Sequence, residues 1–167
     1  MRWFLDGWQT SSIVTFASGR PYGVSYSVIN GLNITGGGDY SRAVMVGSPN
    51  LSFFDRSKTH FFDTSAFAMA PQIVGSIAPG NAPVDNIHGP GRENFDMTFS
   101  KNARIREHTN LQFRWELYNI FNHPSFYQLN TTAQFAVATG VQSNGAFGQL
   151  TNTLTPRVMQ LALRLTF

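Results

Sequence analysis

The chain has 167 residues, with 12 Lys and Arg against 9 Asp and Glu, and a formal net charge of +3. Charged residues make up 13%, about half the share of a typical soluble domain, and aromatic residues make up 14%, so the chain carries enough apolar surface to fold. It has no Cys, which excludes disulfides, thiolate metal sites and Cys nucleophiles. So small a net charge gives no reason to expect a nucleic-acid partner.

The first predicted element is a long strand over residues 8–26, a segment rich in Thr, Ser, Val, Ile and aromatic residues. Its alternation is blurred, and Gly19, Arg20 and Pro21 predict a bend or bulge. Residues 27–93 follow as a long irregular segment with the Gly and Pro clusters that are typical of turns. Its Gly triplet, residues 36–38, lacks the Lys and Ser or Thr of a phosphate-binding loop, so we expect a loop tip there.

Three later segments, residues 94–102, 110–121 and 157–167, alternate apolar and polar side chains at period two and are therefore predicted strands. The predicted turn at 105–109 is short, whereas residues 122–156 form a second long connection. Within that connection, residues 145–151 predict a further short piece of β-structure. The sequence therefore predicts an all-β fold, an antiparallel meander of about four long strands with long loops at 27–93 and 122–156.

The alternation divides the side chains of these strands into two faces. Short turns alternating with long loops are typical of outer-membrane barrels, whose strands need only about 9–11 residues to cross a bilayer. We therefore expect one set to face lipid: Phe95, Met97, Phe99, Leu111, Phe113, Trp115 and Leu117. We expect the other set to face a watery lumen: Asp96, Gln112, Arg114, Glu116, Gln160 and Arg164. Pairing across neighbouring strands would be a purely structural role for the polar set.

The last predicted strand has apolar residues at every second position up to a terminal Phe, namely Met159, Leu161, Leu163, Leu165 and Phe167. This pattern resembles the signal by which bacterial outer-membrane proteins are delivered to their assembly machinery. Residues 110–122, which end in Asn119-Ile120-Phe121-Asn122, resemble the penultimate strand of TonB-dependent receptors. Residues 156–167, which open with Pro156-Arg157, resemble the closing strand of those receptors.

Further segments resemble one branch of these receptors, which often carries an amino-terminal carboxypeptidase-regulatory-like domain. They are Gly7-Trp8, residues 18–21, residues 61–67 and Gly89-Pro90-Gly91. The resemblance implies a barrel of about 22 strands filled by a plug, of which residues 1–167 would be the carboxy-terminal part. We expect the plug and most of the barrel to lie outside these residues, because about four strands cannot close a barrel.

The resemblance also implies a function. Receptors of this kind import a scarce nutrient, such as a siderophore or an oligosaccharide, across the bacterial outer membrane. The implied partners are outer-membrane lipid, the remainder of the receptor and the assembly machinery, with TonB reached only through the amino-terminal part. We expect no enzymatic activity, no cofactor, no metal site and no nucleic-acid partner.

Two other interpretations remain open at this point. A complete small outer-membrane barrel with an adhesive or structural role would suit the length, but it requires further alternating segments within 27–93 and 122–156. A soluble β-sandwich that binds carbohydrate would instead bury the apolar faces against each other. The solvent exposure of those faces separates the sandwich from the two barrel interpretations.

Aromatic residues outside the alternating positions form two groups. One group lies near predicted strand ends, where membrane-interface girdles concentrate aromatic residues: Trp3, Trp8, Tyr118, Phe121 and Phe126. The other group lies in the first long loop, where it could contact a ligand or pack the loop onto itself: Tyr40, Phe53, Phe54, Phe61, Phe62 and Phe67. The four His residues have no spacing that suggests a shared metal site.

Overall fold

A computed structural model of the chain describes residues 5–29, 41–70, 72–73, 76–77, 80–136 and 138–167. The chain divides into two compact units. We call Met1–Ser18, Gly91–Ser125 and Thr153–Phe167 the sheet unit, and Gly19–Pro90 with Phe126–Asn152 the loop unit. Among the described residues, no helix is both long enough and apolar enough to cross a membrane.

The strands are numbered in chain order. They are β1 (Trp8–Ala17), β2 (Pro21–Tyr22), β3 (Ser25–Ile29), β4 (Ser41–Arg42), β5 (Val44–Met45), β6 (Phe67–Ala68), β7 (Gln72–Ile73), β8 (Ser76–Ile77), β9 (Ile87–His88), β10 (Arg92–Arg106), β11 (Thr109–Tyr118), β12 (Thr132–Ala136) and β13 (Val158–Thr166). Two single-turn 3₁₀-helices, Phe53–Asp55 and Thr64–Ala66, lie between β5 and β6.

The sheet unit is built on one four-stranded sheet in the order β1, β10, β11, β13, with every neighbouring pair antiparallel. The long strands follow one another across the sheet in chain order, so the predicted antiparallel meander is confirmed. β10 is longer than predicted, because it runs from Arg92 to Arg106. A register shift between Arg104 and Arg106 brings it into a tight turn at Glu107 and His108 rather than over all of 105–109.

Two predicted strand ends were wrong. β11 ends at Tyr118 rather than at 121, because Asn119 has a φ of 52°, which extended strands do not adopt. β1 ends at Ala17 rather than near 26, since residues 18–20 are not in a strand; this break lies where the bend at Gly19, Arg20 and Pro21 was predicted, and short strands β2 and β3 follow it. Gly19 explains the break, because a Cβ at this position would lie only 1.8 Å from the carbonyl oxygen of Gly89.

The loop unit is not the irregular segment that was predicted. It contains a three-stranded sheet, in which β3 pairs in parallel with β12 and antiparallel with β4, and three two-stranded pairs. Its core is a cluster of buried apolar side chains contributed by both long connections: Val24, Ala43, Phe61, Phe62, Ala66, Phe67, Ala70, Ala82, Ile87, Leu129, Ala133, Phe135, Phe147 and Leu150. Hydrophobic burial therefore orders these connections, although no long alternating segment predicted it.

Three phenylalanines form the centre of this core. Phe62 packs edge-on against Phe147 with ring centroids 5.2 Å apart, and Phe67 lies 5.9 Å from Phe62 and 6.2 Å from Phe147. The predicted β-structure at 145–151 was wrong, because this segment is mostly a turn and only Leu150 forms a bridge, to Leu129. The turn ends at Gly148, whose φ of 84° favours glycine.

Candidate functional site

The register of the long sheet brings most of the large apolar side chains of its four strands to one face, although Ile13 and Val158 lie on the other. Directly opposed residues of antiparallel strands share a face, and Met97 opposes Leu117, which opposes Met159. The next row of the same face lies two residues nearer the β10–β11 turn and joins Thr10, Phe99, Trp115 and Leu161. We call this surface the apolar face. It carries all the residues predicted to face lipid, together with Val14, Phe16, Met159, Leu161, Leu163 and Leu165.

The apolar face is exposed along β13 and half-buried along β10, and Leu117 is its one large buried side chain among the described residues, so the face is not sealed in a core. Leu161 is 67% exposed and Leu163 is 70% exposed, and all of β13 is exposed. The buried apolar cluster of the chain lies in the loop unit, and the long sheet contributes none of its residues. A contiguous exposed apolar surface is uncommon on soluble monomers and marks contact with a membrane or a partner. The exposure disagrees with a sandwich that buries this face.

Aromatic side chains form two clusters on the apolar face. Phe95 stacks edge-on with Phe16 at 5.6 Å between ring centroids and with Phe121 at 5.0 Å. Phe99 packs against Trp115 at 5.8 Å, one row beyond Met97. The first cluster draws on β1, β10 and the turn after β11, so it links three parts of the sheet unit on the same surface.

The opposite face, which we call the polar face, carries every residue predicted to face the lumen. Glu116 opposes Gln160, and Gln112 opposes Arg164. Arg114 and Glu116 form an ion pair at 2.6 Å, and the Tyr118 hydroxyl donates to Glu116 Oε2 at 3.2 Å. A shallow groove across β1, β10 and β11 is lined by six hydroxyl, amide and guanidinium residues of this face, together with Thr10 between two of them: Gln9, Ser11, Thr98, Ser100, Gln112 and Arg114. This face is built for contact with water or polar partners.

Asp96 departs from the rest of the polar set because it anchors a turn. Its Oδ1 accepts hydrogen bonds from Asn94 Nδ2 at 2.8 Å and from the backbone N–H of Asn119 at 2.9 Å. The backbone N–H of Ile120 donates to the carbonyl of Phe95 at 2.9 Å. The turn Asn119-Ile120-Phe121-Asn122, on which the resemblance was partly based, is thus fixed to β10 immediately after β11 ends.

The same turn also holds the beginning of β13. Asn122 Oδ1 accepts the backbone N–H of Arg157 at 3.0 Å, and the Arg157 guanidinium donates to the carbonyl of Ile120 at 3.4 Å. Asn122, like Asn119, has a φ of 52°, a conformation in which Asn is several-fold enriched. The motif therefore joins β10, β11 and β13 at one end of the sheet.

Among the residues of the apolar face that the sequence reasoning missed is a lysine. Lys101 opposes Trp8 on one side and Phe113 on the other, which places it among the apolar side chains. Its Nζ lies 4.9 Å from the centre of the Trp8 ring. Extending the alternation of Phe95, Met97 and Phe99 by one further step would have identified it.

The loop aromatic residues divide into two groups. Phe61, Phe62 and Phe67 are buried in the core of the loop unit, so they pack the loop onto itself. Phe53 and Phe54 are 82% and 93% exposed and contact each other edge-on at 5.7 Å. Tyr40 and the Gly triplet at 36–38 lie outside the described residues.

The remaining predicted features lie at ends of strands or in loops. Trp8 begins β1 and Tyr118 ends β11, Phe126 packs against the core of the loop unit, and Trp3 lies outside the described residues. His123 Nε2 lies 3.4 Å from a carboxylate oxygen of Glu93. No group of three or more His, Asp or Glu side chains in the described part of the chain is placed to hold a metal ion.

Comparison with known proteins gives one match. A family model described as an outer membrane beta barrel domain matches residues 1–160, which cover nearly all of both units. No curated protein and no solved structure matches the chain. The match agrees with a sheet whose two faces differ as sharply as the apolar and polar faces do.

Proposed function

The chain belongs to the outer membrane β-barrel domain family, and from this premise we propose that its long sheet is a section of the barrel wall of a TonB-dependent transporter. Its location is the bacterial outer membrane. In this proposal, the apolar face contacts lipid and the polar face lines the lumen, where a plug contributed by another part of the receptor packs. The transporter takes up a scarce nutrient, such as a siderophore or an oligosaccharide.

The observation that carries the proposal is the exposed apolar face opposite a face of hydroxyls, amides and charges. The long sheet has four strands, with β1 and β13 at its edges, and a closed barrel needs at least about eight. The long sheet therefore needs further strands against β1 and β13, and the remainder of the receptor would supply them. The other described strands have two to five residues, which is too short to cross a bilayer and does not favour a complete small barrel.

The remaining assignments follow from this role. Met159, Leu161, Leu163, Leu165 and Phe167 form the signal for the assembly machinery, because a strand with one free edge and one apolar face can be recognised by strand addition. The loop unit forms the extracellular part, and the β10–β11 turn lies in the periplasm, where barrels have their short turns. TonB acts through another part of the receptor, and the chain itself has no enzymatic activity, cofactor or nucleic-acid partner.

A quenching experiment tests the lipid contact. Trp115 lies on the apolar face, so a variant with Trp3→Phe and Trp8→Phe reports on this position alone. In vesicles whose acyl chains carry bromine, we expect strong quenching of Trp115 and little quenching by aqueous acrylamide. A matched variant that also carries Trp115→Phe and Gln112→Trp places the reporter on the polar face. There we expect strong quenching by acrylamide and little quenching by the brominated acyl chains. Equal responses at the two positions would contradict the proposal.

A genetic experiment tests transport and its dependence on TonB. The gene is deleted in the bacterium that carries it, and growth is measured under iron limitation and on single oligosaccharides. We expect the deletion to slow growth in at least one condition, with full recovery on complementation and the same defect after deletion of tonB. If deletion of the gene slows growth but deletion of tonB does not, the proposed dependence on TonB is refuted, whereas the proposed role in the barrel wall is not affected.

A further inference from the structure

The charged residues of the apolar face lie near the two ends of its apolar band, with one further apolar row, Ala103, Leu111 and Leu165, beyond Lys101. On the apolar face, the residues of β10 from Glu93 to Ala103 and the residues that oppose them in β1, β11 and β13 include two charges, Glu93 and Lys101. Eight residue steps of strand lead from one to the other, about 27 Å along the strand and about 20 Å along the normal to a membrane at a barrel strand's usual tilt. This length is close to the height of a barrel's apolar band, about 25 Å.

Lys101 points toward the end of the band that lies nearer the β10–β11 turn. Its Nζ is 3.5 Å from the carbonyl oxygen of Asp6. The backbone N–H of Asn102 donates to the carbonyl of Gly7 at 2.9 Å, so Asp6 lies beyond Lys101 in the direction of that turn. A lysine near the edge of an apolar band keeps its stem in hydrocarbon and extends its ammonium to the interface in this way.

The backbone before β1 is shaped to allow this contact. Gly7 has a φ of 81°, and a Cβ there would lie 2.3 Å from the carbonyl oxygen of Asn102. Trp8 then stands beside Lys101 with half of its surface exposed. An indole ring at the headgroup level of a bilayer is typical of membrane-interface belts. The pair thus offers a cation and an aromatic surface at one depth.

We propose that Lys101 and Trp8 form a binding site for the phosphate of an anionic phospholipid headgroup. The inference rests on the proposed contact between the apolar face and lipid. The Lys101 ammonium attracts the phosphate and the Trp8 ring flanks the headgroup. The acyl chains lie along Phe99 and Trp115, in the next row toward the middle of the band. These apolar neighbours favour a lipid headgroup over a free phosphate ion.

The test uses the whole chain with Trp8 as its only tryptophan, through Trp3→Phe and Trp115→Phe, folded in phosphatidylcholine vesicles. A minor share of the lipid carries brominated acyl chains, as either phosphatidylglycerol or phosphatidylcholine. We expect brominated phosphatidylglycerol to be enriched at Trp8 by about fivefold over brominated phosphatidylcholine. Lys101→Gln should abolish this preference and Lys101→Arg should retain it. Lys58→Gln, which removes the other lysine of the chain from the loop unit, is the matched control and should change nothing.

Two outcomes would overturn the inference, namely no preference at Trp8 in the parent chain or a preference that survives Lys101→Gln. A preference that inorganic phosphate removes at constant ionic strength would identify a free-ion site and also overturn it. The Trp115 reporter separates the two proposals. If bromine quenches Trp115 while Trp8 shows no headgroup preference, the lipid-facing wall stands and only the headgroup site fails. If Trp115 is not quenched, the wall itself fails.

Discussion

The carboxylate of Asp96 accepts the backbone N–H of Asn119 at 2.9 Å, which fixes the first residue after β11 to the middle of β10. Asn119 in turn accepts the backbone N–H of His123 through its Oδ1 at 2.9 Å and donates through Nδ2 to the carbonyl of His123 at 3.0 Å. One carboxylate and one amide therefore determine where β11 stops and how the chain leaves the sheet.

Replacing Asn119 tests this arrangement. Asn119→Ala removes the side-chain hydrogen bonds and places Ala, which tolerates the left-handed region less well than Asn, at a φ of 52°, so we expect a loss of about 1–3 kcal/mol in the free energy of unfolding. Asn119→Gly removes the same bonds but tolerates the φ, so it should cost less than Asn119→Ala. Urea unfolding of the detergent-folded protein measures both. Asn110→Ala, at the exposed beginning of the same strand, is the control and should lie within about 0.5 kcal/mol of the parent.

The two faces of β13 predict opposite responses to a charge. Leu161 lies on the apolar face beside Trp115, and Ala162 lies on the polar face beside Arg114. In vesicles, Leu161→Arg should lower the free energy of unfolding by about 2–4 kcal/mol, because the guanidinium enters hydrocarbon. Ala162→Arg should have a much smaller effect. If both substitutions cost the same, the face of Leu161 is not in lipid.

The long sheet could be predicted because strict alternation has one structural explanation. Met159, Leu161, Leu163 and Leu165 repeat at period two, and no helix places such residues on one side. The alternation also determines which face each side chain takes, since a slip by one residue would place Phe113 on the wrong face. The end of β11 could not be predicted, because Ile120 and Phe121 continue the apolar pattern while Asn119 leaves the extended conformation.

The loop unit could not be predicted for a different physical reason. Its core joins residues that are distant in sequence, such as Phe62 and Phe147, through short strands and turns that have no period. Gly and Pro clusters indicated turns correctly, but they carry no information about which turns pack together. Buried Phe62 and exposed Phe54 lie in similar local sequences, and only the tertiary contacts distinguish them.

This difference between the two phenylalanines leads to a stability prediction. Phe62→Ala removes a side chain that is 2% exposed and contacts Phe67 and Phe147. We expect it to destabilise the loop unit by about 3–5 kcal/mol. Phe54→Ala removes a side chain of the same size that is 93% exposed, and it should change stability by less than about 0.5 kcal/mol. Limited proteolysis of the loop unit together with urea unfolding measures the difference in stability between the two variants. Similar losses of stability in both would contradict the assignment of Phe62 to the core.

Two glycines in one turn provide a second matched pair. A Cβ at Gly148 would lie 2.6 Å from the Thr64 Cγ2 methyl, and its φ of 84° is unfavourable for Ala. Gly145 has nothing within 4 Å of a Cβ. We expect Gly148→Ala to destabilise the loop unit by about 1–3 kcal/mol, through strain and the clash together. Gly145→Ala should be close to neutral. A neutral Gly148→Ala would show that the turn can rearrange at no cost.

The ionisation of Asp63 makes the stability of the loop unit depend on pH. Its Oδ1 accepts the Ser65 hydroxyl at 2.7 Å and the Ser65 backbone N–H at 2.9 Å, at the beginning of the helix Thr64–Ala66. The Ser65 hydroxyl is the main reason that the pKa of Asp63 lies below its ordinary value. Because the pKa is lower in the folded state, the carboxylate stabilises the fold above the ordinary Asp pKa, about 3.9, and this contribution is lost as the pH falls through the folded-state value.

The pH experiment compares Asp63→Asn with the parent chain by urea unfolding at about pH 7 and about pH 2.5. We expect the parent to be more stable at neutral pH, and we expect its advantage to shrink at low pH as Asp63 takes up a proton. Asp85→Asn removes an exposed carboxylate from the same unit and controls for the change in net charge. If the parent chain is more stable than Asp63→Asn by the same amount at both pH values, the shape of the side chain, rather than its charge, stabilises the turn.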